Sequence, residues 1–448
     1  MTSEASMVSA PSTDPVTAAL DEVHARHVGA RGGEIPTYIP TLSLVDPDQF
    51  GLALASMNGN LYRSGDAEAP FSIQSVSKPF VFALALSELG LDEVLHNVGA
   101  EPSGEAFNAI SLEEGTGRPD NPMVNAGAIV TSSLVPGDPA EKFDRIRRCL
   151  SAFAGRALEM DEEAFASELE TGDRNRALAY LMRGAGSLRS SAEAAVEVYF
   201  RQCSLVVTAC DLAVMAATLA AGGTNPRTGE RVVEPRVAEH VLTVMATCGM
   251  YDYAGEWLLR VGLPAKSGVS GCLAAASPAQ FGIGAFSPRL DVRGNSVRGG
   301  AALQDLSERF ELHFVHDTGL SAPVVFRSED LSATDPFTPV TPGSREPVVH
   351  LRRLQGEIEF AAAETALDDL TIETGIREVG TWLLLDLSHV TRVNGVSAQL
   401  LDARLAGLRA SGVTVFVTDA LARHLLRSAD AEFTSAEEAW AAVAGGQA

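Results

Sequence analysis

The feature that most constrains this chain is a break in its hydrophobic rhythm. From His316 to about Pro347, in SAPVVFRSEDLSATDPFTPVTPGSREP, Pro, Ser and Thr abound and apolar periodicity lapses. A chain of 448 residues is long for one domain, and a break of this kind marks where it divides. The expected organisation is a disordered start over 1–14 and a large domain over 15–315. A linker follows over 316–346, then a small domain over 347–448. With 46% hydrophobic residues there is enough apolar material for sizeable cores.

Before the break, helical patterns alternate with Gly-rich turns. TAALDEVHARHVG predicts a short helix closed by Gly29. A longer helix is predicted from near Val76 through KPFVFALALSEL to Gly90. Pro79 falls in its first turn, where a missing N–H costs least. QFGIGAFSPRL reads as strand, DVRGN as turn and ALQDLSERFEL as helix, a finish that fits an α/β domain with a mixed sheet. After the break, HLRRLQGEIEF, TWLLLDL and VTVFVT read as strands, and AQLLDARLAGLRAS and ALARHLLRSA as helices. A last helix opens at FTSAEEAW, where Thr434 and Ser435 each precede a Glu by three positions. The second domain is thus a small βαβα unit.

Charge excludes several functions. Lys and Arg number 34 against 58 Asp and Glu, a net charge of −24. So acidic a chain repels nucleic acid phosphates and anionic lipid, and neither is expected as a partner. The five cysteines, Cys149, Cys203, Cys210, Cys248 and Cys272, are odd in number and form no CxxC pair, as expected of buried free thiols in a reducing compartment. The start MTSEASMVSAPSTDP lacks the charged and apolar segments of a signal peptide, so a cytoplasmic location is expected. The apolar run Leu205–Gly223 is interrupted by Asp211 and reads as a buried helix rather than a membrane span. Nine histidines form no HExxH or Cys/His cluster, and neither a GxSxG elbow nor a P-loop or Rossmann fingerprint occurs. No metal or cofactor is expected.

The chemistry concentrates in FSIQSVSKPF, residues 71–80. Ser75 and Lys78 lie three apart at a helix N-terminus, on one face and one turn apart. A serine hydroxyl needs a base before it attacks, and a lysine can serve once burial disfavours its ammonium form. The apolar run after Lys78 carries this helix into the core. Ser72 and Ser77 are rival hydroxyls, but only Ser75 has a lysine three places on. A second constellation is Lys266-Ser267-Gly268 in LPAKSGVSG. S-x-x-K with a K-[ST]-G strand is the paired signature of penicillin-recognising serine enzymes, in which the strand edge offers a backbone N–H to the oxyanion.

Beyond these two motifs, TYIPTL, NPMVNAGAI, ELETGDRN, VEVYFRQCS, GMYDYAGEW and SPRLDVRGNSVRG occur in order between residues 15 and 315. Together they resemble the β-lactamase-fold, serine-dependent glutaminases. That resemblance implies a β-lactamase/penicillin-binding-like α/β fold with a helical subdomain. It implies hydrolysis of L-glutamine to L-glutamate and ammonia through a glutamyl-serine ester. Ser75 would be the nucleophile and Lys78 its base. Tyr251 would help move protons, and Val269 would give the second oxyanion N–H. Ligand contacts would fall on Tyr38, Gln74, Asn125, Glu168, Asn175, Tyr199, Tyr251 and Val269. The chemistry suits a free amino acid: Glu168 can take the ammonium, and Asn125, Asn175 and a tyrosine hydroxyl the carboxylate. Two other readings stand beside it, an acyl-serine hydrolase of the same fold acting on cell-wall material, and a glutamine-sensing regulatory protein without turnover.

LQGEIEF, LLLDLSHVTRVNGVSAQLL and GVTVFVTD resemble a STAS domain, the fold of anti-sigma-factor antagonists. Such domains often carry a phosphorylated hydroxyl in an Asp-Ser-Ser/Thr-Gly turn. Here the turn reads Asn394-Gly395-Val396-Ser397, with valine at the acceptor position. The domain is expected to dock a protein partner or a second subunit, and the chain to be a homo-oligomer.

Overall fold

The structure is a computed structural model of the chain and describes residues 14–37, 39–103, 112–113, 115–315, 324–333, 335–340, 347–370, 381–419 and 423–444. Of the expected disordered start, all but Asp14 lies outside the described residues. The chain separates into two compact units. One comprises Leu20–Glu308 with Leu312–Val315, and the other Met1–Ala19, Arg309–Glu311 and His316–Ala448.

In chain order the first elements are α1 (Pro15–His27), β1 (Gly51–Ser56), β2 (Leu61–Gly65), β3 (Phe71–Ser72), α2 (Lys78–Leu89) and α3 (Leu91–Asn97). A helical stretch follows: α4 (Asn125–Leu134), α5 (Pro139–Ala154), α6 (Glu162–Thr171), α7 (Asp173–Ala185) and α8 (Ala192–Cys203). Then come β4 (Val206–Val207), α9 (Ala209–Ala220), α10 (Pro235–Cys248), α11 (Ala254–Arg260), β5 (Ala265–Gly268), β6 (Cys272–Ser277), β7 (Phe281–Phe286) and α12 (Val297–Phe310).

The larger unit holds a five-stranded sheet in the order β2-β1-β7-β6-β5. Every neighbouring pair is antiparallel, which corrects the expectation of a mixed sheet in this domain. The reason lies in the connections. β1 and β2 form a hairpin, and β5, β6 and β7 follow one another through turns of a few residues, too short for the crossover that parallel pairing needs. Helix α9 lies across β7, β1 and β6. Gly282 and Gly284 of β7 let the two backbones meet, because a Cβ at Gly284 would overlap the Ala209 carbonyl and one at Gly282 the Ala213 carbonyl. The apolar run Leu205–Gly223 is therefore covered by sheet. Asp211 forms a capping box with Thr208 at the start of α9 and takes a two-pronged bond from Arg156 at 2.7 and 2.6 Å. Among the described residues no helix is long and apolar enough to cross a membrane. All five cysteines are free, four of them buried and Cys149 partly covered.

A helical layer of α2, α4, α5, α7 and α8 packs beside this sheet, with Phe80, Ile129, Phe153 and Phe200 in its core. The second unit contains β8 (Val325–Ser332), β9 (Asp335–Pro339), β10 (Val348–Ile358), α13 (Phe360–Asp369), β11 (Thr381–Val393), α14 (Gly395–Ala410), β12 (Thr414–Thr418), β13 (Ala431–Phe433) and α15 (Ala436–Ala444). Its sheet runs β13-β12-β11-β10-β8-β9, parallel from β10 to β13 and antiparallel at β8 and β9.

Two expectations are corrected here. The stretch 316–346, read as a linker, contributes β8 and β9 to this sheet. Pro336 and Pro339 obscured the pattern, but β9 is an edge strand, where a residue without an N–H is tolerated. The stretch ALARHLLRSA, read as a helix, is not helical from Arg423 onward. His424 takes a positive φ of 52°, which ends any helix there. The Arg423 guanidinium instead donates to the carbonyls of Val390 and Leu387 at 2.6 and 3.2 Å. The last helix starts as its sequence predicts, with the Glu438 N–H donating to Ser435 Oγ at 3.2 Å.

Replacing Gly284 by alanine should destabilise the larger unit by about 1–3 kcal/mol, because helix α9 must retreat from the sheet. Chemical denaturation of the variant measures this, and an unchanged midpoint would refute the close-approach argument.

Candidate active site

Ser75 lies in a short 3₁₀ turn, Gln74–Ser77, that carries the chain from β3 into α2. The turn begins with Gln74 at φ 49°, a left-handed conformation that costs a residue with a side chain about 1–3 kcal/mol. A buried polar chain holds it. Ser77 Oγ donates to the Gln74 carbonyl at 2.7 Å and accepts from Gln202 Nε2 at 3.0 Å, and Ser132 Oγ donates to Gln202 Oε1 at 2.9 Å. Ser77, a rival hydroxyl in the sequence, is thus committed to supporting the turn. Gln202 and Ser132 were not recognised from sequence. Gln202 lies within the segment VEVYFRQCS, and its burial on α8 is the signal that distinguishes it.

Lys78 opens α2 one turn after Ser75 and is 1% exposed. Its Nζ donates to Asn125 Oδ1 at 2.7 Å and to the Met123 carbonyl at 3.3 Å, and sits 5.9 Å from the centre of the Tyr199 ring. Burial pulls its pKa down from 10.5 to about 8, against the opposing pull of Cys203 and Glu168. Asn125, at the start of α4, also accepts from the Tyr199 hydroxyl at 3.3 Å and donates through Nδ2 to Asn175 Oδ1 at 3.0 Å. One short network therefore ties Lys78, Asn125, Tyr199 and Asn175 together.

On the other side of Ser75 lies the edge of the sheet. Lys266, Ser267 and Gly268 end strand β5, which packs against the 3₁₀ turn. Gly268 permits this, since a Cβ there would press on Cys272 Sγ at 2.6 Å and on Val76 Cγ2 at 3.2 Å. Val269 follows at once and is buried. Tyr251 takes a positive φ of 58° in a second 3₁₀ turn, Tyr251–Tyr253. Its hydroxyl donates to the Ser267 carbonyl at 3.0 Å and is hydrogen-bonded with the Ser75 side chain. Burial pushes the pKa of this phenol well above its ordinary value, while the Ser75 bond draws it back.

A cavity of about 370 Å³ opens onto Ser75. Gln74, Ser75, Asn125, Glu168, Asn175, Tyr199 and Val269 line it, so seven of the residues singled out in the sequence converge here. Lys78 and Tyr251 are buried beside Ser75 rather than in the lining. Tyr38 lies outside the described residues. Ile39, Thr171, Gly172 and Arg174 also line the cavity and were not foreseen. Three of them fall in or beside the turn between α6 and α7, which brings Glu168 and Asn175 to the same wall. Glu168, on α6, is buried, and burial raises its pKa from 4.5 to about 7 against a hydrogen bond from Gln74 and the charge of Lys78. The arrangement can therefore do nucleophilic chemistry: a hydroxyl, a desolvated amine one turn away, a strand edge beside it, and a cavity wall that sets one carboxylate, Glu168, among neutral donors and the Arg174 guanidinium. Among the described residues no group of three or more His, Cys, Asp or Glu converges as metal ligands would.

Comparison with known proteins places the chain in a family. The glutaminase family profile matches residues 33–314. Glutaminase 2 of Bradyrhizobium diazoefficiens is 43% identical over 415 residues, or 91% of this chain and 66% of the relative, so the chain spans about two thirds of that protein's length. A crystal structure of Mglu superposes with a TM-score of 0.67 at 43% identity, covering 90% of this chain and 98% of that one. The Bacillus subtilis glutaminase YbgJ, solved as a covalent complex with 5-oxo-L-norleucine formed by reaction with 6-diazo-5-oxo-L-norleucine, superposes with a TM-score of 0.62 at 34% identity, covering 67% of this chain and 99% of that one.

The support beneath Ser75 is testable. Gln202→Leu removes two buried hydrogen bonds and should cost about 2 kcal/mol of stability. A thermal melt reads this, and an unchanged transition would show that the Ser77 chain carries no load.

Proposed function

Because the chain belongs to the glutaminase family, whose members hydrolyse glutamine to glutamate, we propose that this cavity hydrolyses L-glutamine to L-glutamate and ammonia through a glutamyl ester on Ser75. The observation that carries the proposal is the burial of Lys78 one helical turn after Ser75, with its pKa drawn to about 8. A neutral Lys78 takes the Ser75 proton as Oγ attacks the side-chain carbonyl carbon of glutamine. The oxyanion is received by the backbone N–H groups of Ser75 and Val269. On collapse the C–N bond breaks, and the departing nitrogen takes a proton through Lys78 and Tyr251 and leaves as ammonia. Water then attacks the ester, giving up a proton along the same route, and glutamate leaves with Ser75 restored. The covalent complex of YbgJ supports a covalent route.

Recognition follows the charges. Glu168 pairs with the substrate ammonium. Asn125, Asn175 and Tyr199 serve its carboxylate, with Tyr38 and Gln74 completing the contacts. Substrate binding then helps its own activation. The Glu168 carboxylate favours the protonated form of Lys78. An ammonium paired with Glu168 cancels that pull and releases Lys78 as a base.

For the second unit we propose a STAS-like domain that docks a protein partner or a second copy of the chain, within a cytoplasmic homo-oligomer. Ser397 is not a modification site in this proposal: it is fully buried, and its N–H donates to Asn394 Oδ1 at 2.7 Å.

Three outcomes are expected. Ser75→Ala abolishes ammonia release while calorimetry still detects glutamine binding, and a substantial residual rate would mean another nucleophile. The pH profile of kcat/KM rises towards a midpoint near pH 8, because Lys78 acts only once deprotonated and Glu168 binds only once ionised; a rate falling through that range would refute Lys78 as base. Ending the chain after Val315 leaves an active unit with changed oligomeric state or kinetics, and no change in either would remove the proposed role of the second unit.

A further inference from the structure

A second cavity, of about 730 Å³, adjoins the first, and Val269 lines both. Ile39 of the first lining and Leu290 of the second pack with Val269 in one small apolar cluster. The proposed hydrolysis leaves this second cavity unused. The charged ends of glutamine are assigned to Glu168, Asn125, Asn175 and Tyr199, which stand on α6, α4, α7 and α8. The Val269 N–H is assigned to the oxyanion on the reacting carbon. The side of Val269 is therefore left to whatever joins or leaves that carbon.

Its walls specify a chemistry. Two segments build most of it, 33–37 and 290–297. Glu34 and Leu290 tie them together, exchanging backbone N–H···O bonds at 2.9 and 2.8 Å. Gly33, at φ 83°, lets the segments close up, since a Cβ there would overlap the Leu290 carbonyl. Ile35, Pro36, Leu290 and Val292 give the cavity hydrocarbon, and Glu34 and Asp291 give it negative charge. Among the described residues no basic side chain lines it. The Glu34 carboxylate is exposed and has no hydrogen bond or ion pair among the described residues. Asp291 accepts the N–H groups of Arg293 and Asn295, at 2.9 Å each, through Oδ1 alone. A hydrocarbon chain ending in an ammonium matches such a cavity. We propose that it seats an aliphatic diamine, whose second nitrogen takes the glutamyl group from Ser75 in place of water. One nitrogen stays protonated against Glu34 and Asp291. The other, neutral, attacks the ester carbon, and the bond from that carbon to Ser75 Oγ breaks. The proton lost by the attacking nitrogen passes through Lys78 to Oγ. One glutamine and one diamine thus give one γ-glutamyl diamine and one ammonia.

This second activity rests on the glutamyl ester proposed above, and two readouts keep them apart. The full chain is given glutamine with diaminopentane, or with pentylamine, which has the same hydrocarbon and no second nitrogen. Mass spectrometry detects the γ-glutamyl amide. The excess of ammonia over glutamate measures the share of ester taken by the amine, because hydrolysis alone releases the two equally. Diaminopentane is expected to give the amide, with a ratio of transfer to hydrolysis about fivefold above that of pentylamine. Glu34→Gln, a change on an exposed side chain, is expected to cut that preference about threefold. Equal transfer to the two amines, hydrolysis without any amide, or a preference untouched by Glu34→Gln would overturn the proposal. Absence of ammonia release under every condition would instead remove the ester and the transfer together. Calorimetry then decides the cavity: diaminopentane binding that Glu34→Gln weakens upholds the diamine seat, and no binding overturns it.

Discussion

The arrangement around Ser75 depends on keeping one amine out of water. In water a lysine is an ammonium and no base; burying it disfavours the charge and makes the lone pair accessible near neutral pH. Lys78 is buried because it begins α2, whose Phe80, Val81, Phe82, Ala83 and Ala85 are themselves buried. The choice of partner matters as much as the burial. Asn125 presents a neutral oxygen at 2.7 Å. A carboxylate at that distance would favour the ammonium form of Lys78. The carboxylate that is present, Glu168, exerts only a secondary pull on Lys78.

Ser75 is held between two strained turns. Gln74 and Tyr251 both adopt left-handed backbone conformations although neither is glycine. Each conformation is flanked by its own buried polar chain, Ser77–Gln202–Ser132 from the helical layer and Lys266–Ser267–Gly249 from the sheet edge. Such chains specify one geometry because every member loses a partner if the turn relaxes. This accounts for the position of Ser75 at the seam between sheet and helices, since neither layer alone supplies both supports.

What the sequence disclosed follows from the range of each signal. Ser75 and Lys78 are legible because three residues on a helix are one turn in space, whatever else the chain does. The helix α9 was legible because Asp211 interrupts its apolar run where a cap belongs. The family motifs pointed to Glu168, Asn175 and Tyr199, yet their convergence needs α6, α7 and α8 to pack, and no local pattern encodes that. Ser77 illustrates the limit: its value depends on Gln202, 125 residues away. The antiparallel character of the first sheet was missed because periodicity identifies strands without their direction. Strand β9 was missed because prolines that exclude a central strand are compatible with an edge. The helix expected over ALARHLLRSA shows tertiary contact prevailing over propensity, with Arg423 reaching back to carbonyls near the end of β11.

The charge inventory of the cavity bears on the end of the proposed reaction as well as its beginning. Hydrolysis replaces a neutral amide by a carboxylate, so glutamate carries one more negative charge than the substrate that entered. That charge forms beside Ser75, where burial disfavours it, in a chain whose net charge is −24. Lys78 favours the new anion only while protonated. Once Lys78 returns to its neutral form, that attraction disappears. In the proposed reaction the burial that lowers the Lys78 pKa would thus also loosen its hold on the product, so that one desolvated amine would tie activation of Ser75 to release of glutamate.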